Sequence, residues 1–369
     1  MTDAPARIAS LYLDGDRLAL ISGERHEGEF RVTHAEHRRL PRPFERIRRL
    51  RHPVYLDSDL AIFPEEEYLQ AELNRLLSAV PEDVPVLTVL APDKERREAL
   101  KGPRSPEEQA LRRSKLLRRA LPASPYDYPC LVVMKDAERE AGASCTRLLS
   151  IRMAELLPMQ RLVRNAGREH WGTIPGLTAA NALAYSLREA MSVEQLNLMD
   201  CGALRTLFVT SGEIATSRNN VIPVGYLSTR KSVEMFTHEP EREIPHFARR
   251  FVRETVPGPD RDGNLSLCLL GFPDPIASLS GRIAEATGYT PADIPQEVLA
   301  AIAEGWPEGV PFAPASLALG GLLAMIPRAP EQFGPLRGDL VSPPLANGKC
   351  AVSRMKDGRL YVFEQRYPL

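Results

Sequence analysis

The apolar positions of this chain form short runs separated by polar turns, a pattern that predicts alternating β-strands and α-helices. The first two runs, Ile8–Leu13 and Arg17–Ser22, flank Asp14-Gly15-Asp16 and predict a tight hairpin. Phe30–His34 predicts a third strand after it. The chain is therefore expected to open with a small hairpin sheet that carries an Asp-Gly turn.

A second set of strands with the same arrangement begins near the middle of the chain. Leu196–Met199 and Thr206–Thr210 are apolar and flank a turn that contains Asp200 and Gly202, and a third strand leads into a loop that closes on Gly225. A carboxylate beside a glycine lets the backbone approach a phosphate while the acid holds a metal ion or its water. The same residues are also ordinary turn formers, so the turn alone leaves a phosphate site and a plain hairpin both open.

The remaining segments alternate between helical and strand patterns. Helices are predicted at Pro64–Val80, Ser105–Ala120, Met153–Gly167, Leu177–Met191, Ser228–Phe236, Pro245–Thr255, Ile276–Thr287 and Ala315–Met325. Strands are predicted at Val54–Ile62, Val84–Leu90, Tyr128–Met134, Arg147–Ile151 and Leu265–Leu270, and the tail is predicted to form a hairpin around Lys356-Asp357-Gly358. Two halves that each open with a hairpin and continue with strands and helices indicate a long-range internal duplication.

Composition places the chain among ordinary globular proteins. Its 369 residues are enough for two domains or two large lobes, and 43% of them are hydrophobic. A net charge of −1 argues against a dedicated nucleic-acid binder. The five cysteines are dispersed without a C-x-x-C pair, which is typical of reduced thiols in the cytoplasm. The histidines form no cluster with metal-ligand spacing, so no metal site is predicted.

Several segments, in order, make the chain resemble the PilM- and GspL-type proteins of type IV pilus and type II secretion systems. Those proteins carry a D-x-G-x-x-x-T pattern between apolar strands, and this chain has it at Asp200, Gly202 and Thr206. In the family a loop follows that holds an arginine, a proline or isoleucine, and a glycine, and this chain has Arg218, Pro223 and Gly225 there. Other segments that match in the family's order are Pro103–Glu108, Leu121–Tyr128, Leu148–Ile151, Ala166-Gly167, Ala179–Leu187, Leu270–Pro275 and Ala318–Leu322.

The resemblance implies an α/β protein with the actin-like ATPase (ribonuclease H-like) fold. It predicts two lobes, each with a mixed five-stranded-type sheet and flanking helices, plus a small insert subdomain. The first lobe would span residues 1–192, with the insert at about 84–140. The second lobe would span 193–339, with a small subdomain at about 228–262, and residues 340–369 would form a tail. Asp14 and Asp200 would then face each other across the cleft between the lobes.

The resemblance also implies a nucleotide site, and this sequence departs from it in two of three parts. The turn Asp14-Gly15-Asp16-Arg17 is too short to wrap a phosphate, and Asp16 adds negative charge there. Where the family has a run of glycines, this chain has Gly271 followed by Phe272 and two prolines. We interpret the site as remnants, with no catalytic residue, no metal and no cofactor assigned, while weak binding of ATP with magnesium stays open. The remnants are Asp14, Gly15, Asp200, Gly202, Thr206, Gly225 and Gly271.

On this basis the leading hypothesis is a scaffold, cytoplasmic and peripheral at the inner membrane. It would bind the cytoplasmic tail of an inner-membrane PilN-like protein, together with other pilus or secretion platform proteins. The family's groove for such a tail would be bordered here by residues near 84–91, 105–120 and 128–134. The competing hypothesis is an ATP-dependent switch or small-molecule kinase of the same superfold, with Asp14 and Asp200 around magnesium. The short first turn favours a pseudo-ATPase over that enzyme.

Residues 38–52 contain seven arginines and allow two interpretations. They form either a solvated connector between strands or a peripheral contact with anionic lipid through Arg38–Arg51. The second interpretation suits a protein that works beneath an inner-membrane assembly.

Overall fold

The computed structural model describes residues 5–26, 29–41, 64–92, 95–101, 130–138, 144–203, 205–212, 218–222, 224–226, 239–255, 265–326, 336, 349–351, 360–361 and 364–366. The predicted strand 54–62, the helices 105–120 and 228–236 and the tail turn 356–358 lie outside these ranges. So does the arginine run from residue 42 onward.

Strands and helices alternate through the described ranges, as the apolar pattern predicts. The strands are β1 (Arg7–Asp14), β2 (Arg17–His26), β3 (Glu29–Arg39), β4 (Val86–Val89), β5 (Glu95–Lys101), β6 (Cys130–Glu138), β7 (Ser144–Arg152), β8 (His170–Ile174), β9 (Gln195–Cys201), β10 (Thr206–Gly212), β11 (Arg218–Ile222), β12 (Leu265–Gly271), β13 (Lys349–Ala351), β14 (Leu360–Tyr361) and β15 (Glu364–Arg366). The helices are α1 (Pro64–Leu77), α2 (Met153–Asn165), α3 (Gly176–Met191), α4 (Pro240–Thr255), α5 (Pro273–Thr287), α6 (Gln296–Ile302) and α7 (Phe312–Leu323). Within the described ranges, no helix has the length and apolar character needed to cross a bilayer.

The first sheet has the strand order β3-β2-β1-β4-β8. Strands β1, β2 and β3 pair antiparallel, and β4 and β8 are parallel additions. Asp14 pairs with Arg17, which leaves only Gly15 and Asp16 as the turn. Gly15 has φ +58°, a left-handed conformation that glycine adopts without the steric cost of a Cβ. The predicted minimal hairpin is therefore confirmed.

The second sheet repeats this arrangement in the order β11-β10-β9-β12. Its first three strands are again antiparallel, and β12 runs parallel to β9 as β4 does to β1. The two mixed sheets confirm the predicted α/β architecture, with five strands in the first sheet and four in the described part of the second. Their matching order is the structural form of the duplication seen in the sequence.

A third sheet, with the order β14-β6-β7-β5, stands apart from the other two. Strand β4 pairs with β1 and β8 and so belongs to the first sheet. The predicted insert of about 84–140 therefore overlaps two sheets, and the separate sheet draws on residues 95–152 and on β14 from the tail. In the tail itself, β13 pairs antiparallel with β15.

Helices α3 and α7 lie between the two principal sheets and cross at small residues. A Cβ placed on Gly320 would lie 2.4 Å from the carbonyl oxygen of Ala179, and one on Gly321 would lie 2.5 Å from Ser10 Oγ. One continuous apolar core runs from β1 and β4 through these helices to β9, β10 and β12. This packing brings the turns of the two hairpins, β1–β2 and β9–β10, together.

Candidate functional site between the two hairpin turns

The two Asp-Gly turns contact each other directly. A Cβ on Gly15 would lie 2.6 Å from the Cβ of Ala203 in the opposite turn. A Cβ on Gly202 would lie 2.9 Å from Asp14 Oδ2. Real Cβ atoms do not approach other atoms this closely, so both positions require glycine. The turns therefore meet at van der Waals distance at the place where the fold predicts the cleft.

Arg17 of the first hairpin forms a two-pronged ion pair with Asp200 of the second. Its Nη1 donates to Oδ1 at 2.7 Å, and its Nη2 donates to Oδ2 at 2.6 Å. Both residues are 2% exposed. Burial disfavours the charged guanidinium, but the Asp200 carboxylate outweighs it and leaves the pKa of Arg17 well above its ordinary value. Arg17 is thus a permanent cation seated on Asp200.

Arg205 of the second hairpin forms the equivalent ion pair with Asp14 of the first. Arg205 donates through Nε to Asp14 Oδ1 at 2.9 Å and through Nη2 to the same oxygen. The hydroxyl of Tyr12 donates to Asp14 Oδ2 at 3.0 Å. Arg17 Nη2 lies 3.8 Å from Asp14 Oδ2, so both aspartates adjoin one nitrogen. We call Tyr12, Asp14, Arg17, Asp200 and Arg205 the interlobe ion-pair cluster.

A third ion pair, between Arg39 and Asp16, lies beside the same contact. Asp16 accepts a hydrogen bond from Arg39 Nε at 2.8 Å and another from the hydroxyl of Tyr226 at 2.5 Å. The Arg39 guanidinium also lies over two rings of the second lobe, 5.4 Å from the centre of Tyr226 and 5.3 Å from that of Phe272. The negative charge that Asp16 adds to the turn is therefore matched by a cation from β3.

The other sequence-predicted residues have packing roles at this contact. Thr206 Oγ1 donates to the carbonyl oxygen of Val224 at 2.8 Å and so ties β10 to the loop of Gly225. A Cβ on Gly225 would lie 2.4 Å from the Gly202 carbonyl oxygen. Gly271 has φ +132°, and its Cβ would lie 2.6 Å from the carbonyl oxygen of Cys201. Each glycine allows an approach of backbone to backbone or to the facing turn.

Sequence reasoning missed the two residues that complete the site, Arg17 and Arg205. The signal was present, because each Asp-Gly turn is followed within five residues by an arginine. Two turns with the same Asp-then-Arg order can exchange charges when they face each other, as they do here. Asp14 and Asp200 are brought together as the duplication predicts, but through these arginines.

The first two arginines of the 38–52 run also have partners inside the protein. Arg38 pairs with Glu36 at 2.7 Å and with Glu72 of α1 at 3.3 Å, while Arg39 pairs with Asp16. Arg38 and Arg39 therefore already form ion pairs within the protein. Only the later arginines of the run remain candidates for the lipid contact that the sequence allows.

The interlobe ion-pair cluster has no net charge and is buried from solvent. Two buried carboxylates face two buried guanidiniums, so their formal charges cancel. Burial, with the nearby Asp14 carboxylate, raises the pKa of Tyr12 well above its ordinary value and keeps its hydroxyl a donor. Burial and Asp200 raise the pKa of Cys201 to about 12, so its thiol stays protonated and is no nucleophile.

No protein-family model matches the chain, and no curated protein sequence matches it. Among solved structures, it is similar to a chain of the PilM-PilN type IV pilus biogenesis complex, with a TM-score of 0.57 and 17% identity over 86% of this chain and 97% of that one. It is also similar to the cytoplasmic domain of EpsL, an inner-membrane component of the type II secretion system of Vibrio cholerae (TM-score 0.43, 11% identity, 91% and 100% covered). A Bacteroides thetaiotaomicron protein with an actin-like ATPase fold and unknown function is a third (TM-score 0.39, 8% identity, 80% and 95% covered). The likeness to the PilM-PilN chain confirms the predicted actin-like fold.

Proposed function

We propose that this protein is a scaffold in a pilus or type II secretion platform, cytoplasmic and peripheral at the inner membrane. It holds the cytoplasmic tail of a PilN-like membrane protein and does not turn over a nucleotide. The observation that carries the proposal is the interlobe ion-pair cluster. The fold shared with a chain of the PilM-PilN complex over 86% of this chain supports the choice of partner.

The cluster argues against a magnesium-bound phosphate between the turns. Magnesium binds carboxylate oxygens, and here both oxygens of Asp200 already accept hydrogen bonds from Arg17 while Asp14 accepts from Arg205 and Tyr12. The contact between Gly15 and Ala203 leaves no space for a phosphate between the turns. The residues present therefore do not fit the group that the actin-like fold implies.

The same geometry weakens the competing enzyme hypothesis, which needs Asp14 and Asp200 free to act around magnesium. Freeing them would break two buried ion pairs at once. Magnesium would compensate the two carboxylates but would leave Arg17 and Arg205 without their partners. The cost of moving these two guanidiniums would be subtracted from any binding energy that a nucleotide supplied.

We expect neither Mg-ATP nor Mg-ADP to raise the melting temperature of the protein. A ligand bound only by the folded state adds about 2.7 kcal/mol of stability at 100 times its Kd, which a thermal-shift measurement detects easily. The control is the same titration with EDTA in place of magnesium. A rise in melting temperature that grows with nucleotide concentration and needs magnesium would contradict the scaffold and favour the enzyme.

An extended tail can join a sheet of this protein only beside a strand that is unpaired on one side. Strand β4, at the centre of the predicted groove border 84–91, is paired on both sides and offers no free edge. Strand β5 lies at one end of the third sheet and pairs only with β7 within the described residues, so seven residues of its outer edge can accept a further strand, whereas β14 at the other end has two residues. An extended peptide added to a sheet edge is held chiefly by main-chain hydrogen bonds. We therefore place the tail beside β5.

The tail is tested with fluorescent synthetic peptides that match the cytoplasmic tails of inner-membrane pilus and secretion proteins from the source organism. We expect one of them to bind in a fluorescence anisotropy titration and its scrambled version not to bind. Arg97→Pro and Glu98→Pro probe β5, because successive N–H groups of a strand point to opposite sides. One of these variants should weaken binding without loss of melting temperature. Binding by none of the tails would overturn the proposal.

The later arginines of the 38–52 run are proposed to add a contact with anionic lipid. Five of them remain after Arg38 and Arg39, within a stretch of ten residues (Arg42, Arg46, Arg48, Arg49 and Arg51). Each basic residue close to an anionic leaflet contributes up to about 1 kcal/mol. This contribution is measured in the vesicle experiment below with an Arg46→Ser, Arg48→Ser, Arg49→Ser and Arg51→Ser variant.

A further inference from the structure

Helix α4 carries a line of basic side chains along one face. Arg242, His246, Arg249 and Arg253 follow one another at intervals of four, three and four residues, and all four are exposed. Side chains three and four residues apart share a face of a helix. At about 1.5 Å per residue, the line is roughly 16 Å long. We call these four residues the α4 basic stripe.

The opposite face of α4 fixes the stripe toward the outside. Ile244, Ala248, Phe251 and Val252 are buried, and the Phe251 ring lies 5.1 Å from that of Phe208 on β10. A helix anchored by four buried side chains cannot rotate without exposing them. The stripe is therefore a fixed feature of the surface of the second lobe.

The charges beside the stripe are paired, whereas those in the stripe are available. Glu241 pairs with Arg282 of α5 at 3.0 Å, and Glu254 pairs with Arg250 at 2.8 Å. Within the described residues, Arg242, Arg249 and Arg253 form no side-chain ion pair. Glu241 and Glu254 are thus neutralised by Arg282 and Arg250, and three arginines of the stripe are left for a partner outside the chain.

We propose that the α4 basic stripe binds the phosphate headgroups of an anionic membrane surface. The stripe contains no apolar side chain, whereas a face that packs on another protein has an apolar centre. A straight line of arginines can contact a planar layer of phosphates at every position, and the guanidinium fork matches phosphate oxygens. The inference rests on the proposed function, because that function brings the protein to the membrane.

The experiment is co-sedimentation of the full chain with phosphatidylcholine vesicles, with and without phosphatidylglycerol. The test variant is Arg242→Ser, Arg249→Ser and Arg253→Ser. The matched control is Arg25→Ser, Arg31→Ser and Arg75→Ser, which removes the same charge from exposed positions on the first lobe. Of these three arginines, only Arg31 forms an ion pair within the described residues, with Glu304 at 3.8 Å. Both variants are first shown to melt at the wild-type temperature.

We expect wild-type protein to bind only the phosphatidylglycerol vesicles and to be released as salt rises, since exposed charges are screened over about 8 Å at physiological ionic strength. If each arginine contributes about fivefold to the affinity for anionic vesicles, the affinity of the test variant should fall on the order of 100-fold at low salt. The control should change binding by much less, because its arginines lie elsewhere.

Equal binding by wild type and test variant, or equal losses in test and control variants, would overturn the inference. Binding of poly-glutamate that depends on the same three arginines, without binding of vesicles, would also overturn it and identify an acidic protein as the partner. Anisotropy with the tail peptides is measured on the same samples. If a tail binds while vesicles do not, the stripe proposal fails and the scaffold proposal stands.

Discussion

Replacing Arg17 by methionine is expected to lower the free energy of unfolding by about 3–5 kcal/mol. The substitution keeps an unbranched side chain but removes the guanidinium, which leaves the Asp200 carboxylate buried without its cation. Both oxygens of Asp200 would lose donors that now lie at 2.6 and 2.7 Å. Urea denaturation at neutral pH measures the change.

Two controls separate the charge effect from loss of packing. Arg17→Met combined with Asp200→Leu removes both charges, and most of the stability should return, because an apolar pair of similar volume replaces a buried ion pair at little cost. Arg7→Met breaks the exposed Arg7–Glu24 pair and should cost no more than about 1 kcal/mol. If Arg17→Met costs no more than Arg7→Met, the interlobe ion-pair cluster does not stabilise the contact.

Replacing Gly15 by alanine is expected to cost about 2–4 kcal/mol for two separate reasons. Its φ of +58° costs a residue with a Cβ about 1–2 kcal/mol. The added Cβ would also lie 2.6 Å from that of Ala203, so the two turns must move apart. Thermal and urea unfolding of the purified variant both report this loss.

Another glycine of the chain isolates the first of these costs. Gly167 has φ +72°, and a Cβ placed there has no atom within 4 Å, so Gly167→Ala measures the backbone cost alone. The excess cost of Gly15→Ala is then the clash between the turns. Measured against the Ala203→Gly single variant, Gly15→Ala should lose that excess and cost about as much as Gly167→Ala. Equal costs for Gly15→Ala and Gly167→Ala would contradict direct contact between the turns.

The parts of the fold that the sequence predicted are those with local signals. The hairpin of β1 and β2 follows from two apolar runs and an Asp-Gly turn, and its duplicate follows from the same signals near Asp200. Strand β5 was missed because its sequence, ERREALK, consists of good helix formers, and only its pairing with β7 makes it a strand. Strand β8 is too short and too polar at its start to stand out.

The candidate site was predicted by residue type but not by partner. Asp14, Asp200 and the glycines were found because turn chemistry is local. Their ion-pair partners were not, since Arg17 and Asp200 are 183 positions apart and Arg205 and Asp14 are 191 apart. Charge exchange between two turns depends on how the lobes pack, which no short segment encodes. The resemblance supplied the fold and the cleft, and the structure supplied the contacts within it.

The reciprocal exchange of arginines has an evolutionary consequence. Opening the contact between the turns to a ligand would require both Arg17 and Arg205 to be replaced and the turns to separate. Each loss taken singly strands a buried aspartate at about 3–5 kcal/mol, against a total stability of about 5–15 kcal/mol for a typical domain. Single mutational steps therefore pass through poorly folded intermediates, which selection removes. The two turns are therefore expected to change together or not at all, because a change in one leaves a buried charge unpaired on the other.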